Sequence, residues 1–300
     1  MSDWVFVKAR TAAGGAVWRS ADSQYYKRTG DVLGEAGFQA RLFDLGYPVP
    51  QVVELEPKGE GGSFIERSLG ARSLHDQCLT DAKSSGAVAQ TTIADIAGVS
   101  RRLLAAQAAS PIEPAEWFNQ AAFAKSVYSE NADFDTPHVR TIVSRMLNRL
   151  AGLPMTRGHL DFGLPNMFPA GVIDWQFHGP VPLGYDVYPA LEIVAFKGGN
   201  KGYSFAADQR TQYLVALDDV AAAVTGQRLS AFLGNFLLVK CFFFLALMRP
   251  TDPTRRDKWI KWQYRRHLFE TGLSGYDAAG TIDTSSFPAY STFAERYPDR

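Results

Sequence analysis

The sequence predicts an α+β chain in which a small antiparallel sheet with one helix precedes a larger, mainly helical part. Three observations predict this. The first 70 residues carry short β-prone runs separated by Gly, Asp and Ser turns. From Ser73 onward, apolar residues recur at helical spacing. A chain of 300 residues at 46% hydrophobic and 13% aromatic is long and apolar enough for a large core, organised as one two-lobed unit or two domains.

Trp4 to Arg10 and Ala16 to Ser20 are β-prone runs around Thr11-Ala12-Ala13-Gly14-Gly15, and Asp22-Ser23 turns the chain into a third strand, Gln24 to Arg28. Glycines at such a hairpin let backbone N–H groups approach phosphate oxygens, although Gly14-Gly15 also reads as an ordinary turn and the full Gly-x-Gly-x-x-Gly pattern is absent. A helical run from Glu35 to Leu45 follows. Gly46-Tyr47-Pro48-Val49-Pro50 ends it, because the residue before proline is pushed out of the α region. A hairpin through Pro57 to Gly62 leads to the strand Ser63 to Arg67 and then to Leu69-Gly70-Ala71-Arg72-Ser73-Leu74.

Beyond that segment, Ile93, Ile96, Ala97, Val99, Leu103, Leu104 and Ala106 fit an amphipathic helix from Thr91 to Ala109. His138 to Leu150 repeats the pattern. The apolar run Val187 to Phe196 is expected as a helix capped by Asp186, with Pro189 in its first turn. Leu229 to Met248 is the most apolar stretch, but Asn235 and Lys240 interrupt it, so it reads as a buried helix and not as a membrane span. Trp259, Trp262, Tyr264 and Phe269 alternate with Lys258, Lys261, Arg265 and Arg266 at a spacing that predicts an amphipathic helix packing its aromatics inward.

Charge and cysteine content bound the function. Lys+Arg and Asp+Glu are both 31, so no global electrostatic footprint for nucleic acid or an anionic membrane exists, and a cationic substrate would be met by a local acidic pocket. Cys78 and Cys241 lie far apart, without a second Cys or His at metal-ligand spacing, and read as buried thiols. No basic segment precedes the apolar residues at the start of the chain, which does not read as a secretion signal; the expected location is cytoplasmic.

The most informative segment is Gly158-His159-Leu160-Asp161-Phe162-Gly163-Leu164-Pro165-Asn166, followed by Val172-Ile173-Asp174-Trp175. It reads as a loop holding Asp161 near a reacting hydroxyl, with Asn166 and Asp174 supplying oxygens for magnesium. Magnesium is a hard cation that takes one or two protein oxygens plus nucleotide phosphates, so an Asp/Asn pair suits it. The spacing suggests phosphoryl transfer.

His-x-Asp-x-x-x-x-Asn followed by Ile-Asp-Trp resembles the catalytic loop and metal aspartate of the aminoglycoside phosphotransferase and choline kinase group, small-molecule relatives of protein kinases. Ile-Asp-Trp stands where a protein kinase has Asp-Phe-Gly, and no activation segment ending in Ala-Pro-Glu follows. The resemblance implies a protein-kinase-like two-lobed fold, with an N-lobe at residues 1–70 and a helical C-lobe at 71–300. It implies Asp161 as base and Asn166 and Asp174 as Mg2+ ligands.

The resemblance also implies nucleotide contacts at Gly14 and Gly15 and at Lys27 on the third strand, with Glu35 pairing that lysine; Arg28 competes for the role but should point to the opposite face. The link between lobes, entered through Ile65 and Glu66, would receive the adenine edge. His159 would shape the loop by hydrogen bonding and Asp186 would brace it. Leu160 replaces the glycine usual between His and Asp, and Ala105-Ala106-Gln107-Ala108-Ala109 replaces a Leu-His-containing turn. The implied activity is transfer of the γ-phosphate of ATP or GTP to a hydroxyl of a small molecule, an aminoglycoside or other cationic antibiotic first. Glu192, Asp218 and Asp219 are then candidate contacts for its amino groups. Alternatives are a kinase of a choline-like amino alcohol, a sugar or homoserine, and a non-catalytic nucleotide-binding regulator with the same fold. Neither nucleic acid nor a membrane is an expected partner.

Overall fold

Alternation of β-prone residues with short turns folds the N-terminal part into one sheet. A computed structural model describes residues 3–10, 14–113, 120–192, 202–246, 250, 252 and 254–297. Strands β1 (Trp4–Arg10), β2 (Gly15–Ser20), β3 (Tyr25–Gly30), β4 (Val52–Lys58) and β5 (Gly61–Arg67) pair antiparallel in the order β1-β2-β3-β5-β4. Helix α1 (Leu33–Asp44) crosses between β3 and β4 and encloses a small core of Val32, Ala36 and Phe64.

The register decides which side chains share a face, because residues directly opposite each other on antiparallel strands point the same way. Val17 pairs with Arg28, and Arg28 with Phe64, so Arg28 lies on the face covered by α1. Lys27 pairs with Trp18 and Ile65 on the other face.

The larger part is built from α2 (Leu74–Ser85), α3 (Gln90–Ala109), α4 (Gln120–Glu130), α5 (Pro137–Leu150), α6 (Ala207–Thr225), α7 (Leu233–Ala246), α8 (Arg256–Ala279) and α9 (Tyr290–Ala294). Local signals start two of them: Ser73 and Asp76 form a capping box on α2, and Thr136 caps α5, which has proline in its first turn. The apolar positions expected on α3 and α5 are buried. On α8, Tyr264, Leu268 and Phe269 face inward, whereas Trp259 stays at the surface with Lys258 and Lys261.

Helix α7 is buried on most of its circumference, through Phe236, Leu237, Leu238, Val239, Cys241, Phe242 and Leu245. Among the described residues, no single helix is long and apolar enough to cross a membrane. A 3-10 turn, Leu229–Phe232, precedes α7 where one continuous helix is expected, and residues 247 and 248 of that expected helix lie outside the described residues. The expected helix from Val187 is also not formed over its described part: residues 183–192 make successive turns, and 193–196 lie outside the described residues. Cys78 and Cys241 are free and buried, and burial raises the Cys78 thiol pKa to about 12.

Two short β-pairs carry the central loops. β6 (Met155–Gly158) pairs with β9 (Gly179–Pro182), and β7 (Met167–Phe168) with β8 (Gly171–Val172). The second pair is tied to the sheet side of the molecule, since the Val172 N–H donates to the Pro48 carbonyl at 2.7 Å. Next to it the fully buried Trp175 donates its indole N–H to the Val172 carbonyl at 3.0 Å and packs edge-on against Tyr47. Phe38 of α1 lies against Trp175 and stacks on His178 at 3.6 Å.

Trp175 therefore fills the seam between α1, the Tyr47 segment and β8. Trp175→Ala is expected to destabilise the protein by about 3–5 kcal/mol, the cost of deleting a fully buried aromatic side chain. Trp175→Phe should cost clearly less. Urea unfolding of the two variants checks this, and equal midpoints for parent and Trp175→Ala would remove the seam from the account.

Candidate active site

The loop after β6 begins at a position only glycine can fill. A Cβ on Gly158 would lie 2.4 Å from Val181 Cγ2 and 3.1 Å from Asp186 Oδ2. Asp186, fully buried, then holds the loop with one carboxylate: Oδ2 accepts the His159 N–H at 2.9 Å and Oδ1 the Leu160 N–H at 3.2 Å. Gln107 of α3 donates to the same Oδ2 at 3.0 Å and to the Arg157 carbonyl at 3.1 Å. Gln107 was not recognisable as a site residue in the sequence, because its partner lies 79 positions away. Asp186 thus braces the loop and caps no helix.

Leu160 adopts φ +62°, a left-handed conformation that a branched residue tolerates poorly. The glycine expected there would adopt it freely. The two backbone bonds to Asp186 fix this turn and leave Asp161 partly exposed at the next position.

Asp161, Asn166 and Asp174 come together through backbone as well as side chains. Pro165 sits in the 3-10 turn Leu164–Asn166 that presents Asn166. The Asn166 side-chain nitrogen donates to the Asp161 carbonyl at 3.1 Å and to Asp161 Oδ2 at 3.4 Å, and the Asn166 carbonyl accepts from the Ile173 N–H at 2.9 Å. Asp174 follows in a left-handed conformation, φ +70°. The buried His159 ring supports it from behind: Nε2 lies 2.8 Å from the Ile173 carbonyl, so that nitrogen carries the proton. Burial holds the His159 pKa below the ordinary histidine value, against an upward pull from the Asp186 carboxylate.

The sheet meets this loop through a buried ion network that differs from the expected one. Lys27 and Glu35 are not brought together. Lys27 lies on the outer face and approaches the exposed Glu56 at 3.6 Å. Its neighbour Arg28 holds the inner position, with Nε 2.7 Å from Glu66 Oε1, and Nη1 3.5 Å from Glu35 Oε1 and 3.4 Å from Asp174 Oδ1. Burial works against the Arg28 charge, and the carboxylates of Glu66, Glu35 and Asp174 outweigh it and raise the pKa above the ordinary arginine value. Arg10 also reaches Glu35 and donates to Gln176 Oε1 at 3.2 Å, while Gln39 of α1 donates to Glu66 Oε2 at 2.8 Å. Lys8 lies 3.8 Å from Asp174 Oδ2.

The other expected contacts fare differently. Gly14 has φ +65° in the hairpin, whose residues 11–13 lie outside the described residues, and Gly15 is required because a Cβ there would meet the Thr29 carbonyl at 2.0 Å. Ile65 and Glu66 sit on β5, between β3 and β4, so their backbone groups face neighbouring strands and are not presented to a base edge; the Glu66 side chain is committed to Arg28 and Gln39. Asp218 is buried, accepting from Tyr188 Oη at 2.8 Å, from the Ser230 N–H at 2.9 Å and from the Ser230 hydroxyl. Glu192 is held by Arg210 at 3.3 Å and by Thr284, and Asp219 is exposed on α6. No described contact joins these three to Asp161 or Asp174.

The oxygens of Asn166 and Asp174 are hard donors of the kind Mg2+ prefers. Two protein groups suffice only if phosphate oxygens and water complete the octahedron. No cluster of three or more His, Cys, Asp or Glu side chains suited to a metal occurs among the described residues. The donor set therefore fits a metal that arrives with a phosphorylated ligand. Chemically, the arrangement sets the Asp161 carboxylate, able to take a hydroxyl proton, on the same segment as the Asn166 and Asp174 oxygens.

No protein-family model matches the chain, and no curated protein matches its sequence. Solved structures do match its fold. A Ralstonia eutropha protein provisionally described as an aminoglycoside phosphotransferase superposes with TM-score 0.59 at 12% identity, over 93% of each chain. Ethanolamine kinase from Plasmodium vivax gives 0.57 at 10% identity, over 90% of this chain and 84% of that one. Amicoumacin kinase in complex with AMP-PNP, Ca2+ and Ami gives 0.55 at 13% identity, over 95% and 92%. At these identities the likeness shows the fold, a two-lobed kinase-like α+β architecture.

Two outcomes follow. Arg28→Ala leaves Glu66 buried without its cation and Glu35 with Arg10 alone, and should cost about 3–5 kcal/mol, whereas Lys27→Ala should stay within about 0.5 kcal/mol; thermal melts of both decide it. For pH, His159 is neutral when folded and binds a proton near pH 6.5 when unfolded. Stability is therefore full above that value and declines as pH falls below it. Denaturation at pH 7.5 and 5.5 should show a smaller loss in His159→Asn than in the parent, and an equal loss would contradict the burial of a neutral imidazole.

Proposed function

We propose that the chain transfers the γ-phosphate of ATP or GTP to a hydroxyl of a small molecule. The observation that carries this is the juxtaposition of Asp161, Asn166 and Asp174 on a segment braced by Asp186 and joined to the sheet by Arg28 and Lys8 at Asp174. The fold is one it shares with an ethanolamine kinase and with an amicoumacin kinase bound to AMP-PNP, and that likeness supports the same class of chemistry.

In this reading Asp161 orients the acceptor hydroxyl and takes its proton as the oxygen attacks the γ-phosphorus. The new P–O bond forms as the bond to the β-phosphate oxygen breaks, leaving the nucleoside diphosphate. Asn166 and Asp174 would hold Mg2+ through their side-chain oxygens, and the ion would supply neutralising charge for the phosphates. Arg28 keeps Glu35 and Asp174 in fixed positions and so ties α1 to the metal segment. The Gly14-Gly15 hairpin covers the phosphates. The base edge meets backbone at Leu69 and Gly70, beyond the end of β5.

The acceptor is a small-molecule alcohol, with an aminoglycoside or other cationic antibiotic first and a choline-like amino alcohol, a sugar or homoserine next. Support comes from the named substrates of the matched kinases, ethanolamine and amicoumacin. Asp218 lends none, since its oxygens are already engaged. The non-catalytic alternative is disfavoured because Asp161 and Asp174 are both retained.

Turnover with ATP and with GTP in Mg2+, against a panel of these acceptors, tests the proposal. Asp161→Asn is expected to lower acceptor-dependent turnover by about 10²–10⁴-fold while nucleotide binding persists. Turnover within a few-fold of the parent would remove Asp161 as the base.

A further inference from the structure

We infer that Lys8, on β1, is the cation that binds the nucleotide phosphates, in place of a lysine on β3. This rests on the phosphotransfer reading and names a contact that reading leaves open.

Arg28 occupies the inner position on β3, but its guanidinium is committed. Glu66, Glu35 and Asp174 all lie within 3.5 Å of its nitrogens, in a site from which water is excluded. Pulling it away to meet a phosphate would leave the buried Glu66 carboxylate without its cation and Glu35 with Arg10 alone, a costly change. Lys27 faces the opposite side of the sheet.

Strand β1 supplies the alternative through a bulge. Phe6 pairs with Trp18 on the outer face and packs edge-on against it at 5.3 Å. Simple alternation would put Lys8 on that same outer face. The register instead shifts between Phe6 and Lys8, so Lys8 pairs with Val17, whose next neighbour is Arg28. The extra residue, Val7, turns Lys8 inward, which is what a bulge beside a functional site commonly does.

Two residues on, Arg10 anchors the strand. Its buried guanidinium holds Glu35 of α1 and Gln176, so β1 is fixed against the segment that carries Asp174. Lys8 consequently stands 3.8 Å from Asp174 Oδ2, with its side chain 57% exposed, whereas Arg28 on the other oxygen is sealed off. A flexible ammonium beside the Asp174 carboxylate, open to solvent and with no other ion pair among the described residues, is suited to meet phosphate oxygens as a point charge. As a plain surface ion pair with Asp174 it would be worth little.

Calorimetric titration of the full chain with Mg2+ and AMP-PNP, and separately with adenosine, tests the inference without turnover. Lys8→Ala should weaken AMP-PNP binding by about tenfold, the size of one charge-assisted contact, with adenosine affinity unchanged. Lys8→Arg should keep most of the AMP-PNP affinity, and Lys58→Ala, which removes an exposed lysine at the end of β4, should keep all of it. AMP-PNP binding by Lys8→Ala at parent strength overturns the role of Lys8 and leaves the phosphotransfer reading standing. A parent chain that binds neither AMP-PNP nor its guanosine counterpart GMP-PNP overturns both.

Discussion

The burial of Arg28 among three carboxylates is the constraint on which the site depends. A guanidinium removed from water must keep its charge, so it requires acceptors on every side that water has left. Here they come from β5 through Glu66, from α1 through Glu35, and from the loop after β8 through Asp174. Any displacement of these elements separates buried charges. Arg10 doubles the tie to Glu35 and extends it to Gln176, and Gln39 occupies the second oxygen of Glu66. Strands β1, β3 and β5, helix α1 and the loop after β8 are thereby held in one arrangement. The apolar seam of Phe38, Tyr47, Trp175 and His178 reinforces the contact without specifying its polarity.

The loop after β6 is governed by a second buried charge used differently. Asp186 accepts only from N–H groups, two from the loop backbone and one from Gln107, so its charge stabilises a particular backbone path. That path includes the left-handed Leu160, a conformation that costs about 1–2 kcal/mol for a residue with a Cβ. The cost is tolerated because both flanking amides are satisfied by one carboxylate. His159 then carries the order across to Ile173 through its ring nitrogen, placing the Asp161 and Asp174 segments in register. Burial keeps that imidazole neutral, so it works as a donor and not as a charge.

What was legible in the sequence divides along the same lines. The α+β class, the sheet strands and the long helices follow from local periodicity and turn residues, and the architecture agrees. Asp161, Asn166 and Asp174 are close in sequence, and a short loop leaves few ways to separate them. Lys27 and Arg28 are a different case: the face a strand residue occupies depends on register, and a slip of one position exchanges every inner and outer side chain. The bulge at Val7 that turns Lys8 inward has no signal in the run Trp4 to Arg10. Ile65 and Glu66 read as an edge because the sequence does not tell that β5 lies inside the sheet, between β3 and β4. Asp218 reads as a candidate contact for amino groups, and only the approach of Ser230 and Tyr188 shows its carboxylate to be a buried, engaged acceptor.

The measurement that bears most directly on the central claim is a crystal structure of the chain with AMP-PNP and Mg2+. The nucleotide is expected between the sheet and the loop after β6, with the metal on the side-chain oxygens of Asn166 and Asp174 and with Asp161 facing the γ-phosphate. A nucleotide bound elsewhere, or a metal that does not touch Asn166 or Asp174, would contradict it.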